Sequence, residues 1–177
     1  MDERISLLIE GLKSANPRIR SESADSLDLL REHAAPAIPA LIDGMKDRDA
    51  EVSWHCTTAL ISICDFLDSK SRAILVTTVP TLIETLKHSN ENQHVRYGCI
   101  IALGATGAAA APAVPAMIEA LDDPSSSIRA TTAVAFGRLG KDASQAIPAL
   151  EARKTKEHTT FIRARIDNTL RMIRGEP

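Results

Sequence analysis

Aromatic residues are nearly missing from this 177-residue chain: one Trp, one Tyr and three Phe make up 3% of it. A core without them is packed from Ala, Leu, Ile and Val, which favours closely spaced helices. Cysteine is also sparse. Cys56, Cys64 and Cys99 are odd in number and hold no Cys-x-x-Cys pair, which excludes a disulfide framework and a zinc site. They are expected to be reduced and mostly buried. Neither charge predominates: 21 Lys/Arg stand against 23 Asp/Glu, a net of −2. That argues against a nucleic-acid grip and against a polybasic membrane-surface role. Apolar runs are short and broken by charges, so no membrane span is expected. The opening MDERISLLIEGLKS has no basic segment followed by a long apolar one, unlike a signal peptide, and a cytoplasmic location is the expectation. What is present is a 44% apolar content, enough to build a core.

The chain repeats itself. AIPALIDGMKDRDAEV at 37–52 recurs as AVPAMIEALDDPSSSI at 113–128 and, with a longer turn, as VPTLIETLKHSNENQHV at 79–95. AIPALEARKTKEHTTFI at 146–162 is a weaker copy, and ISLLIEGLKSANPRI at 5–19 matches without the proline. A second segment follows each, anchored at Ile19, Val52, Val95, Ile128 and Ile162, with spacings of 33, 43, 33 and 34. A fixed period with one insertion predicts stacked units rather than one globular fold. Five are expected, over about 3–35, 36–68, 69–111, 112–144 and 145–174, forming one domain across 1–177.

Each unit reads as two helices. Pro39, Pro80, Pro115 and Pro148 fall in the first turn of the first helix, where a missing N–H costs nothing. Asp, Asn and Ser in the following turns suit caps for the second helix. Counting from the anchor as position 0 at 100° per residue, positions 0, 4, 8 and 11 form one apolar face, as in Val52/Cys56/Leu60/Ile63. Position 7 is short in every unit: Ser26, Ala59, Ala102, Ala135 and Thr169. The stretch 65–78 carries the extra residues and is expected to be a lengthened helix end or an extra turn. Gly104, Gly107, Gly137 and Gly140 read as helix termini or loosened ends.

The AxPALI-like first segments and the recurring pairs Ile19-Arg20, Val95-Arg96, Ile128-Arg129 and Ile162-Arg163 give the chain its resemblance to HEAT-repeat proteins, of the short-repeat type noted in phycobilisome lyases. Repeat two departs, with Ser53 after Val52. The resemblance covers about 5–174. It implies an all-α solenoid, a right-handed superhelix of five two-helix repeats, with the second helices lining the concave side. It also implies a ladder in which the second-helix arginines pair with turn aspartates. Asp47, Asp49 and Asp123 are the matching acids, and Arg20, Arg96, Arg129 and Arg163 the partners.

No catalytic pattern accompanies the repeats. There is no Gly-x-Ser-x-Gly, no Gly-x-x-x-x-Gly-Lys, no His-Glu-x-x-His and no His-Glu pair. No catalytic residue, metal or cofactor is therefore expected. The face opposite the core, at positions 2, 6 and 9, is apolar in its middle: Trp54, Thr58, Ile61, Tyr97, Ile101 and Val134. The only Trp and the only Tyr both stand at position 2, in neighbouring repeats. Such grouping marks interaction surfaces; packing of Trp54 on Tyr97, or of both under 65–78, is the alternative. His55 joins the strip as a partner-binding residue, although a solvated surface role is the plainer expectation for it and for His94. Residues 151–177 hold seven Lys/Arg against four Asp/Glu, and 1–150 hold fourteen against nineteen, which reads as a polar end cap. The first functional reading is a non-catalytic scaffold that binds a protein or peptide on the concave surface. The second, from the repeat subtype, is a bilin lyase or isomerase-type subunit acting with a second chain. The third is self-assembly, a homo-oligomer formed through the N-terminal repeat.

Overall fold

The computed structural model describes residues 2–89 and 92–176, and among them there is helix and turn but no strand. The helices are α1 (Glu3–Gly11), α2 (Pro17–Asp28), α3 (Ile38–Gly44), α4 (Ala50–Asp65), α5 (Ser69–Thr77) and α6 (Val79–His88). They continue as α7 (Gln93–Thr106), α8 (Val114–Glu119), α9 (Ser126–Leu139), α10 (Ile147–Lys156) and α11 (Thr160–Arg174). Short 3-10 segments at Arg31–Ala37, Gly107–Ala113 and Gly140–Ala146 lead into α3, α8 and α10. The four predicted prolines sit in the first turns of α3, α6, α8 and α10. Asn16, Asp49 and Asn92 cap α2, α4 and α7 by accepting backbone N–H bonds.

The long helices stack in one layer, α2 on α4, α4 on α7, α7 on α9 and α9 on α11. The shorter α1, α3, α6, α8 and α10 form a second layer. This is an all-α solenoid, with its core running between the layers. Position 7 permits close approach: Ala59, Ala102, Ala135 and Thr169 are buried, and the Thr169 hydroxyl donates to the Ala133 carbonyl across α9–α11 at 2.8 Å. The anchor face is buried as the periodicity predicts, except in the first unit. Ile19 there is 44% exposed, on the outer side of the first hairpin. Apolar residues over 93–122 form no single span, since Gly107, at φ +62°, separates α7 from the segment that follows.

The extra residues of 65–78 form a complete helix rather than an extra turn. Asp68 caps α5 by accepting from the Ser71 N–H at 2.7 Å. The helix stands where the other units have a 3-10 lead-in, and buries Leu75. From it the Arg72 guanidinium reaches the Ala105 carbonyl in the last turn of α7, a cation at a helix C-terminus.

Three arginines tie successive repeats together. Arg20 grips Asp47 through Nε and Nη2 at 2.7 and 2.9 Å, and Arg96 grips Asp123 at 2.6 and 3.2 Å. Arg129 holds Glu157 at 2.8 and 3.2 Å. Each Nη1 donates back to a carbonyl of its own turn, at Ser14, Ser89 and Asp123. The ladder differs from expectation at two places. Asp49 is no rung, because its carboxylate is engaged in capping α4. Glu157 is a rung that a search for aspartate misses, although it lies 28 residues after Arg129, close to the 27 of the other two pairs. Arg163 meets no acid among the described residues and donates to the Glu157 carbonyl and the Thr160 hydroxyl. In repeat two Ser53 replaces the arginine and donates to the Met45 carbonyl at 2.7 Å.

Candidate binding groove

The one-layer stack aligns the outward sides of the second helices. On α4, Trp54 is 51% exposed and lies between two histidines. Its ring stacks on His94 of α7, with centroids 5.7 Å apart and planes 19° off parallel. The His55 ring meets it edge-on at 4.9 Å. Thr58 completes the group: its hydroxyl donates to the Trp54 carbonyl at 3.0 Å and lies 3.3 Å from His94 Nε2. Partial burial holds the His94 imidazole below its ordinary pKa of 6.5, and its hydrogen bond to the Trp54 backbone opposes this more weakly. The ring stacked on Trp54 is therefore neutral at pH 7.

His55 is not a solvated surface residue. Its Nδ1 is paired with Asp25 of α2, and its Nε2 lies 3.9 Å from Glu51. Trp54 and Tyr97 do not stack on one another; His94 takes the place beside Trp54. Tyr97 is half-buried and leans on the core from α7.

From His94 a groove of about 650 Å³ runs across α7, α9 and α11. Tyr97 and Ile101 form one wall, Ala130 and Val134 the floor, and Phe161 and Arg165 the far wall. The Arg165 guanidinium lies 4.4 Å above the Phe161 ring, and Phe161 is 60% exposed. The groove thus holds Tyr97, Ile101 and Val134 together. Trp54 and Thr58 join its edge through His94, His55 lies beyond Trp54, and half-buried Ile61 lies a turn further along α4. Phe161 and Arg165 fall outside the positional count because they occupy positions −1 and 3, which flank the side of positions 2 and 6. Position 9 departs from the expected face in repeats three and four: Gly104 and Gly137 lie in the last turns of α7 and α9, just before the C-caps Gly107 and Gly140, but are buried rather than exposed. Close packing explains them, since a Cβ on Gly104 would lie 3.0 Å from that of Ala135. Ser21, at position 2 of the first repeat, is buried too.

A second depression, of about 400 Å³, lies between α2 and α4. Glu22, Asp25, Asp49 and Glu51 line it together with Arg18 and His55. Among the described residues no cluster of His, Cys, Asp and Glu is arranged to hold a metal. The three cysteines are free, and burial pushes their thiols up to about 12, so they are protonated and unreactive at neutral pH.

Stacked helical hairpins, an arginine ladder and an open face on the second helices define an α-solenoid repeat protein. The chain belongs to the HEAT-repeat family, whose pattern matches residues 79–171. No curated protein matches it. Its fold is similar to that of a designed armadillo repeat protein in complex with the peptide (KR)4, at a TM-score of 0.80 and 15% identity, covering 96% of this chain and 81% of that one. It is also similar to the complex of CpcE and CpcF of phycocyanin lyase from Nostoc sp. PCC7120, at a TM-score of 0.71 and 21% identity, covering 98% and 66%. At these identities the likeness is one of fold.

Proposed function

We propose that the protein is a non-catalytic scaffold that binds a protein or peptide segment along the outward side of α4, α7, α9 and α11. The observation that carries this reading is an open groove lined by the chain's only Tyr and by exposed Phe161, with the only Trp stacked on His94 at its edge, in a protein otherwise almost free of aromatics. Aromatic anchors beside aliphatic floor residues are the composition of binding hot spots. The peptide held by the designed armadillo relative supports the same use of the solenoid. The test is affinity capture from the source organism's lysate with wild type, Trp54→Ala and Val134→Asp side by side. A band retained by the wild type and lost with both variants, each still folded by circular dichroism, is the expected result. Identical captures overturn the reading.

A second reading, a bilin lyase or isomerase-type subunit acting with another chain, draws on the fold likeness to the phycocyanin lyase complex. Absorbance after mixing with free bilin checks it: no spectral change in the pigment, alone or with a candidate partner chain, counts against it.

A further inference from the structure

We infer that the outward face from α2 to α11, groove and acidic depression together, selects an extended segment of one charge order: acidic at the α11 end, apolar in the middle and basic at the α2 end. The inference rests on the scaffold reading and adds the chemistry of the partner to it.

The two ends of the face carry opposite, unbalanced charge. At the α2–α4 end, four carboxylates, Glu22, Asp25, Asp49 and Glu51, line one depression with a single guanidinium, Arg18. Asp49 is engaged by backbone N–H groups, and Arg18 bonds only Glu22, at 2.7 Å. Negative charge is left over beside Asp25 and Glu51, whose partner is the one imidazole of His55. Across the middle, the groove-facing residues of α7 and α9 carry no Asp, Glu, Lys or Arg. At the far end, Arg165 is the only charged group among the described residues of the groove wall. It has no ion pair among the described residues, and its buried Nε has no hydrogen-bond partner. The Phe161 ring packs against it at 4.4 Å. A guanidinium without an ion pair, packed on an aromatic ring, can offer its outer Nη nitrogens to a carboxylate.

The span sets the length. Four helix-to-helix steps separate α2 from α11, and at about 8–10 Å each they cover about 32–40 Å. An extended chain advances about 3.3 Å per residue, so the segment has about 10–12 residues. The same charge order excludes duplex nucleic acid, since the face offers only one cationic end to a phosphate backbone.

Selection of a displayed library of random 12-residue peptides on the immobilised protein tests this with no partner yet in hand. The expected winners carry Asp/Glu in one terminal third, apolar residues in the middle and Lys/Arg in the other third. Binding of the best peptide, read by fluorescence anisotropy, should weaken at least tenfold with Arg165→Glu and with Glu51→Lys, and should fall as salt rises. Arg165→Glu should also remove the acidic preference from a repeated selection while keeping the apolar middle. Winners without charge order, but sensitive to Trp54→Ala, overturn the charge inference and leave the scaffold reading standing. Winners indifferent to both Trp54→Ala and Arg165→Glu, or no enrichment at all, overturn the two together.

Discussion

The Arg129 guanidinium holds the Glu157 carboxylate through two parallel hydrogen bonds of 2.8 and 3.2 Å, and the Glu157 side chain is only 2% exposed. This is the most enclosed rung of the ladder. The hydrogen bond from Arg129 brings the Glu157 carboxyl down to about 2 from 4.5, against a desolvation effect of opposite sign. A carboxyl lowered on folding stabilises the protein above its unfolded pKa. That contribution is complete above about pH 4.5 and fades as pH falls towards 2. Asp47, lowered chiefly by its hydrogen bond from Arg20, adds a second contribution of the same sign. Glu157→Gln leaves the Arg129 charge without its partner and is expected to cost about 3 kcal/mol at pH 7. The same variant should lose less stability than wild type between pH 5 and 2. Urea melts at several pH values check both, and parallel pH curves for the two proteins would show that Glu157 is not the titrating group.

Arg31 occupies the register of Gly107 and Gly140, just after the last turn of its second helix, and shares their positive φ, at 48° against 62° and 60°. A side chain in that region costs about 1–2 kcal/mol. Against this, Arg31 lies 4.6 Å over the exposed Phe66 ring, a contact worth about 0.5–1 kcal/mol at such a site. Backbone strain is the larger effect, so Arg31→Gly is expected to stabilise by about 0.5 kcal/mol. Gly140→Ala should destabilise by about 1–2 kcal/mol although its Cβ would meet nothing within 4 Å, because backbone conformation alone opposes it. Thermal melts of the two variants should move in opposite directions.

Gly104 fixes the separation of α7 and α9 beneath the groove. An added Cβ would lie 3.0 Å from the Ala135 Cβ and 3.2 Å from its Cα, and the backbone atom has no room to yield. Gly104→Ala is therefore expected to cost about 1–3 kcal/mol by overpacking. Adding Ala135→Gly should restore part of the loss. A double-mutant cycle by denaturant melts reads the coupling, and simple additivity would place the strain elsewhere.

The architecture is legible in the sequence because its signals repeat. Five anchors in one register, four first-turn prolines and short residues at position 7 each say the same thing several times, so one irregular unit does not hide the pattern. The groove is legible only in its middle. A period-3.6 count finds Trp54, Tyr97, Ile101 and Val134, but the width of the open face depends on how far successive helices turn, which no single helix encodes. Phe161 and Arg165 therefore escape the count, and Gly104 and Gly137 fall on the wrong side of it. The His94 partnership with Trp54 joins residues of different repeats, and periodicity carries no information on such pairs. Glu157 is hidden for a chemical reason: the longer side chain reaches the same guanidinium from the same register.

Trp54 is the chain's only tryptophan, so its fluorescence reports on one place, the ring stacked on His94 with His55 at its edge. His94 is held below the ordinary imidazole pKa by burial, so it takes up its proton in the folded state at a pH below 6.5. Charging an imidazole stacked on the indole changes both the emission and the stack itself. The wild-type emission is therefore expected to show a step centred below pH 6.5. His94→Gln should abolish that step, and His55→Gln should leave it in place. The sign for stability follows. An imidazole whose pKa is lowered on folding disfavours the native state once pH drops below its unfolded value, so wild type should gain stability relative to His94→Gln as pH rises through 6.5. Because the stack forms the edge of the groove, the same acidification should weaken binding of any segment that covers Trp54. An emission step that survives in His94→Gln would show that His94 is not the titrating group, and would remove the basis for expecting binding to change through His94.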